Sequence, residues 1–278
     1  MKVAVVIPTY NEEKDIVKCL LSVMDQTHPI DIVVVDDGST DHTVTKIREL
    51  RMGTSNIQLF TQSHCGPAAA RNWGASKIQA DIYVFIDADM TIDSRFVEVL
   101  VKPIEEGKTN GTFTKEEYVA NWENVWARCW NINQGIYQKR RIPWNYPDKA
   151  PVFRAILARE FNKVGGFTEG IGYTDDWTLS KKLHYQATVT AAICFHNNPD
   201  SLRDVFQQAQ WIGRNEFLNK SILRRLLNLF RYSFINAIII GFIKSTIAQT
   251  PAFLIFKLVY DAGVTSGIIS NLSGSRNK

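Results

Sequence analysis

Apolar residues fall into short unbroken runs, separated by stretches in which they recur every third or fourth position. The runs are Val3 to Ile7, Ile32 to Val35, Ile57 to Phe60 and Ile82 to Ile86. Such consecutive apolar positions suit strands covered on both faces, as in a parallel sheet. Between them, Ile16, Cys19, Leu20 and Val23 share one helical stripe and Val44, Ile47 and Leu50 another. Ala68, Ala69, Ala70, Ala75 and Ile78 form a third. Short strands alternating with helices predict βαβ units, hence an α/β class with a Rossmann-like, mostly parallel sheet and right-handed crossovers.

Farther along, the pattern is less regular. Asp93-Ser94 starts a helix with Phe96, Val97, Leu100 and Val101 on one side, and residues 107–114, rich in Gly, Thr and Asn, read as a loop. Glu116 to Gln134 predicts a longer helix, with Tyr118, Trp122, Val125, Trp126, Cys129 and Trp130 on one stripe. Its tryptophans suit a core better than a sugar platform or a membrane surface. Lys139-Arg140-Arg141 and Pro143-Trp144-Asn145-Tyr146-Pro147 make an irregular loop, which is a lid over an acceptor, a contact for anionic lipid, or simply solvated. Phe153 to Leu157 predicts a strand, and Val164 to Glu169 a tight turn. The segment Gly172-Tyr173-Thr174 leads to Asp175-Asp176, which open a helix through Leu179 and Leu183. Val189 to Phe195 is a further apolar run, ending at His196.

From Leu223 the composition shifts. Tyr232 to Ile243 and Ser245 to Phe256 are uncharged, with Lys244 between them and Lys257 and Asp261 after them. No run reaches the ~18 uncharged apolar residues of a plain spanning helix. Amphipathic helices lying in a membrane interface fit the broken runs best, ahead of a spanning pair about Pro251 or a soluble hairpin. The expected division is a catalytic domain over residues 1–220 and a membrane-associated helical region over 221–278.

Composition narrows the classes. A chain of 278 residues, 45% hydrophobic, can bury a large core. Its net charge of +4 is mild and its dense basic clusters are few, which argues against a nucleic-acid partner. Cys19, Cys65, Cys129 and Cys194 form no C-x-x-C pair, so neither a zinc site nor a disulfide framework is expected. Met1-Lys2 leads directly into the first strand pattern, too early for a signal peptide. A cytoplasmic catalytic part is the expectation.

The candidate chemistry lies where strands end, since ligands of open parallel sheets collect outside those ends. The run Ile82 to Ile86 leads into Asp87-Ala88-Asp89, two carboxylates able to hold Mg2+ or Mn2+ with positions left for phosphate oxygens. After the first strand, Pro8-Thr9-Tyr10-Asn11-Glu12 offers an aromatic face and a carboxylate. After the second, Asp36 and Asp37 offer acceptors for a base or ribose, although helix capping explains either one alone. The dinucleotide fingerprint G-x-G-x-x-G is missing. Arg71 supplies a fixed cation beside a glycine-led helix start.

Val-Val-Ile-Pro-Thr-Tyr-Asn-Glu-Glu at 5–13, Val-Val-Val-Asp-Asp-Gly-Ser-Thr-Asp at 33–41, Gly-Pro-Ala-Ala-Ala-Arg-Asn-Trp-Gly at 66–74 and Phe-Ile-Asp-Ala-Asp at 85–89 occur in one order and spacing. Together they resemble family 2 glycosyltransferases of the GT-A fold, over roughly residues 2–200. The resemblance implies a nucleotide-sugar donor, a divalent metal on Asp87 and Asp89, and nucleotide contacts from Pro8, Tyr10, Glu12 and Asp37, with Arg71 near the nucleotide. It also implies a third metal ligand at His196, and a general base at Asp176 beside Asp175, which stands where Glu is usual. Similarity to polyprenyl-phosphate sugar transferases tilts the donor toward GDP-mannose over a UDP-sugar, and the acceptor toward a lipid-linked or other membrane-proximal glycan. The segment Gln207 to Trp211 is similar to the Q-x-x-R-W segment of cellulose-synthase-like enzymes, but Gln210 replaces the Arg, which weighs against a processive polysaccharide synthase. A non-catalytic nucleotide-sugar-binding protein and a nucleotidyltransferase are the competing readings.

The expected chemistry is a one-step, inverting displacement. Asp176 accepts the proton of the attacking hydroxyl while cationic charge stabilises the departing diphosphate.

Overall fold

The computed structural model describes residues 1–52, 57–171, 175–215 and 222–272. Contacts divide the chain into two compact units, Met1–Glu117 with Ile142–Phe195, and Tyr118–Arg141 with His196–Lys278. The expected boundary at 220/221 falls within residues 216–221, outside the described residues, as does Gly172-Tyr173-Thr174.

The chain opens with β1 (Val3–Thr9), α1 (Ile16–Met24), β2 (Asp31–Asp36), α2 (Thr43–Met52), β3 (Ile57–Thr61), α3 (Pro67–Ser76) and β4 (Ile82–Phe85). It continues through β5 (Met90–Ile92), α4 (Phe96–Glu105), β6 (Gly111–Thr114), β7 (Glu117–Val119) and α5 (Val125–Asn133). Next come β8 (Lys149–Ala150), β9 (Ala155–Leu157), α6 (Ala158–Lys163), a 3-10 turn at Asp175–Trp177, α7 (Thr178–Leu183), β10 (Ala187–Thr190) and β11 (Cys194–His196). Four helices follow: α8 (Leu202–Asn215), α9 (Ile222–Arg231), α10 (Phe234–Ile247) and α11 (Ala252–Leu272).

The first unit is built on an eight-stranded sheet of order β3-β2-β1-β4-β9-β6-β10-β8. Strands β3, β2, β1 and β4 are mutually parallel, whereas β9 runs antiparallel to both β4 and β6. The unbroken apolar runs are explained by alternation. Val3, Val5 and Ile7 of β1, Ile32 and Val34 of β2, and Ile82 and Val84 of β4 pack with Ile16, Leu20, Phe96 and Leu100 on one face. Ala4, Val6, Val33, Val35, Tyr83 and Phe85 pack with Ala68, Ala70, Phe161 and Leu179 on the other.

Three expectations need correction. Residues 107–114 are not all loop, because Gly111–Thr114 is a buried strand inside the sheet. A side chain at Gly111 would run into Phe153, so the glycine there admits an aromatic ring instead of breaking the strand. Glu116 to Gln134 is not one helix: Glu117–Val119 is a strand, and α5 starts only after Asn124, whose side chain accepts from the amides of Trp126 and Ala127. Val189 to Phe195 is two strands, parted where the Ala192 carbonyl accepts from Thr114 Oγ1 at 2.5 Å and that of Ile193 from the Asp93 amide.

The second unit packs α5 and α8 with α10 and α11. Trp130 is buried edge-on against Phe256 and Tyr260, so this ring belongs to the core as expected. Arg140 is also buried, donating to Tyr118 Oη at 3.0 Å, and so is structural rather than part of a lid. Helices α8 and α11 touch backbone to backbone. An added side chain at Gly263 would come within 2.7 Å of the Phe206 carbonyl, and one at Gly267 would strike that of Gln210. Lys244 of α10 donates to the carbonyls of Ile132 and Asn133, satisfying the end of α5.

Candidate active site

Strand β1 pairs with β2 on one side and β4 on the other, and the chain winds in opposite directions from it. The gap between the ends of β1 and β4 is therefore the switch point of the parallel half. Pairing of β1 with β4 stops at Val6 and Phe85, two residues before the buried Pro8, which has no amide proton to offer a neighbour. Thr9 ends β1 with its hydroxyl buried and without a hydrogen-bond partner. A separate cavity of about 610 Å3 lies against Met1, Lys77 and Asp81, at the opposite ends of these strands, and holds none of this chemistry.

The loops after β1, β2 and β3 are tied to one another. Asp36 accepts from the amides of Gly38 and Ser39 and closes its own turn. Asp37 is 2% exposed and accepts from Gln62 Nε2 at 2.6 Å, Cys65 N at 2.9 Å, Gly66 N at 2.8 Å and His64 Nδ1 at 2.8 Å. Expected as a nucleotide acceptor, Asp37 thus organises the loop that launches α3. His64, which the sequence pattern did not single out, stacks on Tyr10 with ring centres 4.1 Å apart. Tyr10 remains exposed, so an aromatic ledge stands at the rim. The Glu12 amide donates to Thr43 Oγ1 at 2.8 Å, and its side chain is half-buried.

Helix α3 lies so close to the sheet that a side chain at Gly74 would come within 2.6 Å of Val6. That approach carries Arg71, 6% exposed, beneath the end of β4. Its Nη2 meets Asp87 Oδ1 at 2.7 Å, and its Nη1 meets Asp176 Oδ1 at 2.9 Å and Asp175 Oδ2 at 3.3 Å. One guanidinium gathers three carboxylates from two distant stretches. Burial works against the charge of Arg71, but Asp176, Asp87 and Asp175 outweigh it and raise its pKa further above the usual arginine range. Arg154, just before β9, reaches Asp87 Oδ2 at 2.8 Å and Glu117 at 3.6 Å. Sequence reasoning missed this second cation, although an Arg inside the apolar run Phe153 to Leu157 is the signal that marks it.

Both oxygens of Asp87, expected to share a metal with Asp89, are therefore each paired with an arginine. Asp89 is half-buried. The Cys19 Sγ lies 3.6 Å from the Asp87 carbonyl, and burial, then the charges of Asp89, Asp87, Glu12 and Asp15, push its thiol well above its usual pKa. Among the described residues no three His, Cys, Asp or Glu side chains could hold an ion by themselves. The donor set fits a hard cation held by one or two carboxylates and completed by phosphate oxygens. His196, expected as a third ligand, belongs to the second unit, where its carbonyl accepts from the Ala120 amide.

Asp175 and Asp176 occupy different surroundings. Asp176 keeps 40% of its side chain exposed, whereas Asp175 keeps 7%. Burial raises the Asp175 carboxyl to about 6 against the pull of Arg71. The folded chain thus holds a proton that the unfolded chain gives up at about pH 4. The resulting stabilisation is complete below that value and is lost as pH rises through about 6. Asp175→Asn, which cannot ionise, is expected to gain several degrees in Tm on the unsubstituted protein between pH 4 and pH 7.5. A difference that stays flat across that range would contradict the assignment.

The family model for "Glycosyl transferase family 2" matches residues 4–165, covering the strands, loops and carboxylates just described up to Arg154. The chain belongs to glycosyltransferase family 2. As a glycosyltransferase it is similar over most of its length to GlyG of Streptococcus pneumoniae serotype 4, at 25% identity over 86% of this chain and 81% of that protein. GlyA of the same organism is 39% identical over 38% of this chain, a match spanning 15% of GlyA. Among solved structures, S. aureus TarS with UDP-GlcNAc has a TM-score of 0.57 at 18% identity, covering 100% of this chain and 93% of that one. Mannosyltransferase PcManGT from Pyrobaculum calidifontis with GDP-Man and Mn2+ has a TM-score of 0.56 at 18% identity, covering 99% and 88%. At these identities the two structures establish the GT-A fold of this glycosyltransferase.

Proposed function

We propose that this glycosyltransferase moves a hexose, with inversion, from a nucleotide sugar to a hydroxyl of a lipid-linked or membrane-proximal acceptor. The observation that carries the reading is the convergence of Asp87, Asp175 and Asp176 on Arg71 at the switch point, with Asp89 two positions after Asp87 in the chain. Tyr10 would stack on the nucleobase, and Thr9 and Glu12 would meet the ribose side. Asp89, with Asp87 close by, would hold the Mn2+ or Mg2+ whose charge offsets that of the departing diphosphate. Arg71 and Arg154 hold Asp87 in place and add fixed positive charge there. Asp176, exposed enough to meet an acceptor, would take the proton of the attacking hydroxyl. PcManGT, with GDP-Man bound, keeps mannose slightly ahead as the sugar, and TarS, with UDP-GlcNAc bound, keeps a UDP-sugar in contention.

Membrane association rests on α10. Phe234, Ile235, Ile238, Ile239, Phe242, Ile243 and Ile247 are exposed along its length, while Ala237 and Gly241 face inward. At 14 residues the helix spans only ~21 Å, short of a bilayer core. Ala252–Ser270 of α11 is long and apolar enough to cross a membrane, yet it carries Lys257 and Asp261 and packs against the polar α8 through Gln210–Ser266 and Arg214–Ser270 contacts. These features favour helices lying in the interface.

Thermal-shift titration with GDP-mannose, UDP-glucose and UDP-GlcNAc, each with and without Mn2+, tests the donor and the cation together. One nucleotide sugar should raise Tm, and more so with Mn2+; no shift with any of them would remove the reading. Co-flotation with anionic vesicles, lost on changing Ile238, Ile239 and Phe242 to Ser, tests the membrane part.

A further inference from the structure

Two adjacent residues of α3 grip the chain around the acidic pair by different means. Arg71 pairs with the side chains of Asp175 and Asp176. Asn72 holds the main chain of the turn that precedes them. Its Oδ1 accepts from the Phe167 amide at 2.8 Å, and its Nδ2 donates to the Phe167 carbonyl at 3.0 Å and to Glu169 Oε1 at 2.9 Å. A carboxamide that meets both polar groups of one residue fixes that residue much as a neighbouring strand does. The fit is close, since a side chain at Gly166, whose φ is 69°, would run into Asn72 Oδ1.

The same turn is bonded to the acidic pair. The Thr168 amide donates to Thr178 Oγ1 at 3.0 Å, and that hydroxyl donates to the Asp175 carbonyl at 2.6 Å. Thr178 is buried, so water does not compete for either bond. Lys182 of α7 adds a bond from its Nζ to the Gly166 carbonyl at 2.7 Å. The Phe167 ring lies 5.5 Å from the Arg71 guanidinium carbon and packs edge-on against Phe85 at the end of β4. These contacts close a ring that runs from Asn72 through Phe167, Thr168 and Thr178 to the acidic pair, and back to α3 through Arg71. An ion pair by itself lets a carboxylate slide along the guanidinium, whereas hydrogen bonds weaken steeply once their angles open.

We propose that Asn72 and Thr178 are positioning residues for the transfer reaction, bonding the turn at Phe167 to α3 and to the Asp175 carbonyl so that Asp176 is held at the place of the base. The proposal rests on the base role given above to Asp176 and adds what sets its position. Both residues act through the acidic pair. A reacting group misplaced by about 1 Å loses ~10²-fold in rate, so a strap remote from the chemistry governs turnover without governing donor affinity.

Nucleoside diphosphate release from GDP-mannose, UDP-glucose and UDP-GlcNAc with Mn2+, water serving as acceptor, tests it. Asn72→Ala and Thr178→Val should each lower kcat by ~10²-fold while the donor KM stays within about twofold of that of the unsubstituted protein. Thr178→Ser keeps the hydroxyl and should recover most of the turnover lost in Thr178→Val, which separates the hydrogen bond from packing. In an Asp176→Asn background, Asn72→Ala should add less than about a twofold loss, because the group it positions can no longer take a proton. Circular dichroism at the assay temperature checks folding, and the Thr178 pair carries the test if Asn72→Ala does not fold. Unchanged kcat in Thr178→Val, with Asp176→Asn slow, would overturn the positioning role and leave the base reading standing. Losses shared equally by kcat and donor affinity, or multiplied in the Asp176→Asn background, would overturn it as well. Turnover untouched by Asp176→Asn would instead remove the base reading and this inference with it.

Discussion

Asp176→Asn is expected to lower turnover by ~10²- to 10⁴-fold while leaving donor affinity close to that of the unsubstituted protein. Asparagine keeps the size of the side chain and an oxygen for Arg71 Nη1, which lies 2.9 Å from Asp176 Oδ1. It cannot take a proton. The loss should therefore appear in single-turnover transfer and not in a donor titration. Near-normal transfer by this variant would remove Asp176 from the base role and point to Asp175. The structure favours Asp176 because it is the accessible member of the pair, while Asp175 is enclosed and its main-chain oxygen is held by the Thr178 hydroxyl at 2.6 Å.

Arg71→Ala should be the most destabilising single change at the site. It leaves Asp175 enclosed without its cation and Asp87 and Asp176 with one partner fewer. Removing one member of a buried charge cluster costs about 3–5 kcal/mol. For a chain of this size that corresponds to a Tm lower by roughly 6–20 °C. Lysine at 71 should recover only part of the loss, because a point charge cannot serve Asp87 from one nitrogen and the Asp175-Asp176 pair from another as the guanidinium fork does. The deficit should shrink as pH is lowered toward 5, where carboxyls deprived of Arg71 take up protons. A Tm unchanged from the unsubstituted protein would show that the three carboxylates do not depend on this cation.

The two variants separate chemistry from architecture. On the proposed reading Asp176 would act on the substrate, while Arg71 pairs with Asp87, Asp175 and Asp176 and holds them together. The second arginine at Asp87 sharpens the point. Arg154 is placed there because the amide of Phe85 donates to the Arg154 carbonyl as β9 enters antiparallel to β4. Arg71 and Arg154 between them engage both oxygens of the first aspartate of Asp87-Ala88-Asp89.

Much of this was legible in the chain itself. Five apolar residues from Ile82 to Ile86 run into Asp87 and Asp89, β1 and β2 end close to where their apolar runs stop, and Gly66-Pro67 opens α3. Such features follow from side-chain alternation and from residues that start or stop a helix, and both act over a few positions. The same locality misled where a local signal had two outcomes. Gly and Thr at 111–114 suggest a loop, yet β6 is a buried strand because neighbours on both sides supply its partners and Phe153 fills the space beside Gly111. The three-and-four spacing around Trp122 suggests a helix through Glu116, but the Asn124 cap starts it at Val125.

Sequence alone determined the parallel half of the sheet, the glycosyltransferase family and the identities of the acidic residues. Only the tertiary structure decided that Arg71 would meet Asp175 from 104 positions away, that Arg154 would share Asp87, that Asp37 would hold a loop, and that Asp261 would be buried beside Lys257. The reason is physical. Periodicity and capping are properties of neighbouring residues, whereas the company a buried charge keeps depends on which strands lie side by side and how closely a helix such as α3 can settle on them.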